Sequence, residues 1–153
     1  MPPPLTVLLP DLAATASLAA RVAALARAGD AVLLEGPLGA GKSAFARALL
    51  RAAAQDPQLE VPSPTFTLVQ SYETGLGPVH HYDLWRLEPG AALEELGWAE
   101  ARGDIVLVEW PDRLGPLRPD DALTVSLAFG EAGSRIASIT GWPDRIGSIG
   151  SHS

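Results

Sequence analysis

Four residues of this chain have the types and spacing to act on a phosphoanhydride: Lys42, Ser43, Asp83 and Glu109. Lys42 and Ser43 close the run Gly36-Pro37-Leu38-Gly39-Ala40-Gly41-Lys42-Ser43, which has the spacing G-x-x-x-x-G-K-S. A phosphate chain needs converging donors and a backbone that can come close to it. Gly39 and Gly41 allow both, since neither carries a Cβ. A helix starting near Lys42 would aim its unpaired N–H groups and its positive dipole end at the same spot. Lys42 adds a mobile cation for the β- and γ-phosphates, and the Ser43 hydroxyl is a ligand for Mg²⁺. Gly36, Leu38 and Ala40 supply the rest of the cradle. The plain alternative is a glycine-rich turn with no ligand, but Lys42 is the single lysine in a chain with ten arginines.

Proteins with such a loop hold Mg²⁺ with the loop hydroxyl and an acidic residue closing a neighbouring apolar strand. Glu109, after Ile105-Val106-Leu107-Val108, fits that position. Asp83 is the next acidic candidate, suited to positioning or deprotonating an attacking water; from spacing alone a surface pair with Arg86 explains it equally well. His80 and His81 are adjacent, so on a strand they face opposite ways and cannot easily share one ion. Packing or support of a ligand is expected of both. Ser63-Pro64-Thr65-Phe66-Thr67 occupies the stretch where loops of this class sense the γ-phosphate, with the Thr65 hydroxyl as the sensing group; a proline-stiffened connector is the alternative. Trp110 is expected first as a core residue, with a base contact or a partner surface as the alternatives.

The elements that must carry these groups follow from the pattern. Residues 5–9 read as a strand, 12–28 as an Ala/Leu-rich helix stopped by Gly29, and 31–34 as a buried strand. A second helix is expected over 42–54, ended by Asp56-Pro57. Strands follow over 66–72 and 79–84 about a turn at 75–78, then a short helix over 91–96 ended by Gly97 and a strand over 105–108. Residues 123–129 and 135–140 alternate as a hairpin. The expected fold is α/β: one P-loop domain over 1–141, its mixed, mostly parallel sheet flanked by helices, with a C-terminal antiparallel hairpin. Residues 142–153 are Gly/Ser-rich and are expected to form a flexible tail.

Composition narrows the function classes. A length of 153 residues with 47% apolar and 19% charged content suits one globular domain. Cysteine is absent, which removes disulfides, thiolate zinc sites and a cysteine nucleophile and suits a reducing cytoplasm. No signal peptide or membrane-spanning run is expected. The net charge of −7 argues against a broad nucleic-acid surface, so any contact with RNA is expected to be indirect.

Taken in order, Gly36–Ser43, Ser63–Val69, His81-Tyr82-Asp83-Leu84-Trp85-Arg86-Leu87 and Val108-Glu109-Trp110-Pro111 resemble the bacterial TsaE proteins. The likeness spans roughly residues 5–140; the glycine loop is generic, whereas the other three blocks in this order are specific. It implies an ATPase of the pathway that threonylcarbamoylates the adenosine next to the anticodon in tRNAs reading codons that begin with A. It implies action with the TsaD–TsaB pair, in which TsaD performs the transfer, and weak hydrolysis without those partners. By the same resemblance Ser43 and Glu109 hold Mg²⁺, Asp83 is needed for hydrolysis and Ser63–Thr67 is switch-like. It also places Thr15 near the base and Arg135, on the terminal hairpin, near the nucleotide. Departures from the family pattern are Ser43 for a common Thr, Phe66 for a frequent Tyr, and Trp85 where Tyr is common. None removes a needed functional group.

Three other classes compete. A small-molecule kinase would carry an Arg-rich lid, yet Arg102, Arg113 and Arg118 are scattered. A GTPase would need an Asn-Lys-x-Asp segment, which a chain without Asn cannot supply. A binding module gated by nucleotide without turnover merges with the TsaE reading if hydrolysis is slow.

Overall fold

The computed structural model describes residues 4–64, 67–87 and 93–150, the last as backbone only. Thr65, Phe66 and the expected helix start at 91 and 92 therefore lie outside the described residues.

Seven strands form one sheet in the order β1-β7-β6-β2-β5-β4-β3. The strands are β1 (Leu5–Leu9), β2 (Ala31–Glu35), β3 (Val69–Thr74), β4 (Gly77–Asp83), β5 (Ile105–Glu109), β6 (Leu123–Phe129) and β7 (Arg135–Thr140). Its centre, β4-β5-β2-β6, is parallel, and the flanking pairs β3–β4, β6–β7 and β1–β7 are antiparallel. The uniformly apolar β2 and β5 are central because they are covered on both faces, as buried parallel strands must be. The expected architecture is present.

Two helices cover one face. Helix α1 (Leu12–Leu25) starts at Asp11, whose Oδ1 accepts the Ala14 N–H at 2.9 Å. Helix α2 (Lys42–Ala54) packs Phe45, Ala46, Leu49 and Leu50 onto Val32, Leu34, Ile105 and Leu107. The other face is closed by a 3₁₀ turn (Leu93–Leu96), the short helix α3 (Trp98–Ala101) and a second 3₁₀ segment (Pro111–Leu117). Leu33, Tyr82, Val106, Val108 and Trp98 make its core. The 3₁₀ turn ends at Leu96 with Gly97, as expected, but a further short helix, α3, follows at once. Gly97 joins the two with φ of 73°.

Residues 142–149, expected as a free tail, pack on the first core. Helix α4 (Ile146–Gly150) follows a turn; Trp142 in the turn and Ile149 in the helix are buried. Arg145 fixes that turn: it pairs with both oxygens of Asp30 at 2.7 and 3.1 Å and donates to the Leu25 carbonyl at 2.7 Å. Gly/Ser content hid two apolar anchors and an arginine with a half-buried carboxylate partner. Ile149→Ala is expected to cost about 3 kcal/mol and to lower Tm by roughly 6–12 °C in a thermal melt, the range for a buried aliphatic truncation in a chain of this size. An unchanged Tm would show that α4 contributes nothing to the core.

Candidate phosphate site

The glycine loop leaves β2 and enters α2 at the carboxyl end of the parallel strands. Its start is pinned by Glu35, which accepts from Ser126 Oγ and from Arg118 Nη2, each at 2.8 Å. Burial pushes the Glu35 carboxyl up, but the Arg118 and Ser126 hydrogen bonds outweigh it and hold the group below its usual range. Gly36 has φ of 142°, and a Cβ there would run into the Leu127 carbonyl of β6. The loop can therefore close against β6 only with glycine at this position. Ala40 is buried beneath the loop, and Leu38 stands exposed at its tip.

Lys42 folds back over this loop. Its Nζ donates to the Gly36 carbonyl and, at 3.3 Å, to that of Pro37, and it sits 3.6 Å from the centre of the Trp110 ring. Burial pushes the amine below its ordinary value of 10.5, and Glu109, Asp83 and Asp112 pull it part of the way back. Ser43 Oγ donates to Glu109 Oε1 at 3.1 Å, joining the first turn of α2 to the end of β5. The other oxygen of Glu109 meets His81 Nε2 at 2.7 Å, in an almost fully buried contact. An ionised carboxylate only accepts, so His81 carries its proton on Nε2. Glu109 is thus oriented through both oxygens.

Asp83 is buried and paired in register with Glu109 across β4 and β5. Its Oδ1 accepts the Trp85 N–H at 3.1 Å. A cleft of about 400 Å³ is lined by Leu38, Gly39 and the run 41–44 of the loop with Ser63, Asp83, Trp85, Glu109 and Trp110. The structure thus brings together Lys42, Ser43, Asp83, Glu109 and the loop glycines.

Arg135, at the start of β7, donates to the Gly39 carbonyl at 3.3 Å and lies 4.9 Å from the Phe129 ring. That puts it beside the loop. Thr15 instead stands in a groove between α1 and α2, near Ala44 and apart from the cleft, with its hydroxyl directed at the Asp11 carbonyl 3.5 Å away. Thr65 lies outside the described residues.

Two residues belong to the site that spacing did not assign to it. Trp110, expected first as core, packs on the second core and also forms the cleft wall. With φ of 60° it stacks on Trp85, ring centres 4.4 Å apart, and carries Lys42 on its face. Trp85 is the second. His81 supports Glu109, one of the two roles expected for it, and shares a strand face with Asp83, two residues on. His80 faces the other way, as adjacency required, and meets Asp104 at 2.9 Å.

A strand–glycine loop–helix unit on a mixed sheet, with a hydroxyl and a strand-end carboxylate meeting beside the loop lysine, defines a P-loop protein. The family model for TsaE, the threonylcarbamoyl adenosine biosynthesis protein, matches residues 9–137. The tRNA threonylcarbamoyladenosine biosynthesis protein TsaE of a Nostoc species is 38% identical over 140 residues, covering 88% of this chain and 84% of that one. The Bacillus subtilis protein of the same name is 36% identical over 114 residues, covering 72% and 69%. The crystal structure of Bacillus subtilis YdiB superimposes with a TM-score of 0.76 at 25% identity, covering 97% of this chain and 93% of that one. The chain belongs to the TsaE family, whose members take part in tRNA threonylcarbamoyladenosine biosynthesis.

Proposed function

We propose that this protein binds ATP with Mg²⁺ and hydrolyses it weakly, and that TsaD–TsaB partners stimulate turnover in support of tRNA threonylcarbamoylation in the cytoplasm. The observation that carries the reading is the Ser43–Glu109 contact beside Lys42 at the mouth of the loop. A hydroxyl and a carboxylate are the hard oxygen donors that Mg²⁺ prefers, and such sites leave further positions for water and phosphate oxygens. Ser43 and Glu109 would hold the ion. Bound there, it would supply positive charge to the β- and γ-phosphate oxygens.

The chain's own residues do the rest. The loop amides and Lys42 grip the phosphates, which requires Lys42 to leave its present carbonyl partners. His81 keeps Glu109 oriented. Asp83 accepts a proton as water attacks the γ-phosphorus and the bond to the β-bridging oxygen breaks, releasing ADP and phosphate. Thr65 assists in ordering that water and sensing the γ-phosphate. Arg135 serves the nucleotide from beside the glycine loop, and Thr15, whose groove shares Ala44 with the cleft, lies toward the base.

The net charge of −7 supports docking on proteins, with tRNA contacted only through them. Among the described residues no helix is long and apolar enough to cross a membrane. Calorimetric titration tests the nucleotide class: ATP with Mg²⁺ is expected to bind more tightly than GTP. Tighter GTP binding would reverse the assignment.

A further inference from the structure

A second group of reactive side chains lies on the sheet face opposite α2, away from the phosphate cleft and outside the proposed ATPase chemistry. Ser71 on β3 and His80 on β4 are direct cross-strand partners, and Asp104 immediately precedes β5. Ser71 Oγ lies 2.7 Å from His80 Nδ1, and His80 Nε2 lies 2.9 Å from Asp104 Oδ2. The three side chains form one continuous chain of hydrogen bonds. Its direction follows when Asp104 is ionised and His80 neutral. An ionised Asp104 only accepts, so Nε2 bears the proton; a neutral His80 then offers its Nδ1 lone pair, and the Ser71 hydroxyl must donate to it.

Ser71 is exposed on a strand at the edge of the sheet, whereas the His80 side chain is only 18% exposed. The group opens on a cleft of about 380 Å³ between β3 and α3. Val69, Tyr82, Leu96 and Ala101 give the cleft apolar walls, and Tyr82 is held by its hydroxyl on the Leu96 carbonyl at 2.9 Å. A hydroxyl hydrogen-bonded to an imidazole that is itself oriented by a carboxylate is the arrangement of an activated nucleophile. Apolar walls beside it suit a short acyl chain. The acidic rim, Glu100 and Asp104, disfavours anionic substrates.

We propose that Ser71, His80 and Asp104 form a nucleophilic site that takes neutral carboxylic esters with small apolar acyl groups. Ser71 Oγ attacks the carbonyl carbon as its proton passes to His80 Nδ1. The carbon–oxygen bond to the leaving alcohol breaks, and that alcohol takes the proton from Nδ1. Water then attacks acyl-Ser71 by the same route, releasing the carboxylic acid and restoring the hydroxyl. Asp104 acts as a positioning residue, fixing the tautomer of His80.

The full-length protein should react with an alkyl fluorophosphonate at Ser71, seen by peptide mass mapping, and should hydrolyse p-nitrophenyl butyrate. Ser71→Ala should remove both. His80→Gln should slow both about 100-fold, within the range usual for a general base. Asp104→Asn should lower the maximal labelling rate while leaving the half-saturating probe concentration unchanged, which a loss of packing would not do. Retained melting temperature and retained nucleotide binding at the glycine loop show that each variant is folded, and failure of the nucleotide reading would leave this labelling untouched. Absence of an adduct on Ser71, or an equal labelling rate in His80→Gln, would overturn the proposal and leave a cross-strand structural network.

Discussion

Lys42→Ala is expected to weaken ATP binding about 10- to 100-fold, the worth of charge-assisted hydrogen bonds to an anion, and to depress hydrolysis at least as far. No other lysine exists in the chain to substitute for it. The loss should not come from unfolding. Lys42 is buried and its charged form is disfavoured by that burial, so removing it relieves a cost in the free protein. The same shift gives a pH signature. The folded protein carries the penalty for a charged Lys42 below its lowered pKa, and the penalty fades as pH rises from there to the ordinary value of 10.5. Nucleotide affinity runs the opposite way, since phosphates need the protonated amine. ATP affinity should therefore fall with rising pH from below 10.5 in the wild type and show no such step in Lys42→Ala. Titrations of both proteins across that window read the difference. Equal affinities would mean that Lys42 does not contact phosphate.

Glu109→Gln is expected to cut Mg²⁺-dependent hydrolysis about 10²- to 10³-fold, comparable to loss of one preorganised electrostatic group, while leaving metal-free nucleotide binding nearly intact. Gln keeps the shape and can still bridge Ser43 and His81, the partners Glu109 holds at 3.1 and 2.7 Å. What it lacks is the charge. His81→Ala should have a milder effect, roughly 10- to 100-fold in apparent Mg²⁺ affinity, because His81 orients the carboxylate without being a ligand. Mg²⁺ titrations of the hydrolysis rate measure both. A Glu109→Gln variant with full activity would remove the carboxylate from the metal site.

The glycine loop was legible because all its groups sit within eight consecutive residues and its strand and helix flank it directly. Strand and helix bounds were also close, since β2, β5, α1 and α2 have strong apolar patterns. What stayed open depends on register between strands. His81 was expected to pack or to support a ligand, and that the ligand is Glu109 follows from β4 lying beside β5 with Asp83 opposite Glu109, a neighbour no local pattern states. Trp110 was expected as core because aromatic strand ends commonly are; its φ of 60°, which turns the ring onto Lys42, is set by the chain reversal into Pro111. The tail was misjudged on composition, because two buried side chains and the Arg145–Asp30 pair outweigh the glycine and serine around them.

Whether the glycine loop drives an ATP cycle for a tRNA-modifying partner is read most directly from ATP hydrolysis by the full chain with Mg²⁺, measured alone and with TsaD–TsaB. Slow turnover alone, a clear increase with the partners, and loss of that increase in Lys42→Ala are expected. Turnover that the partners leave unchanged, or stimulation that survives the loss of Lys42, would contradict that role.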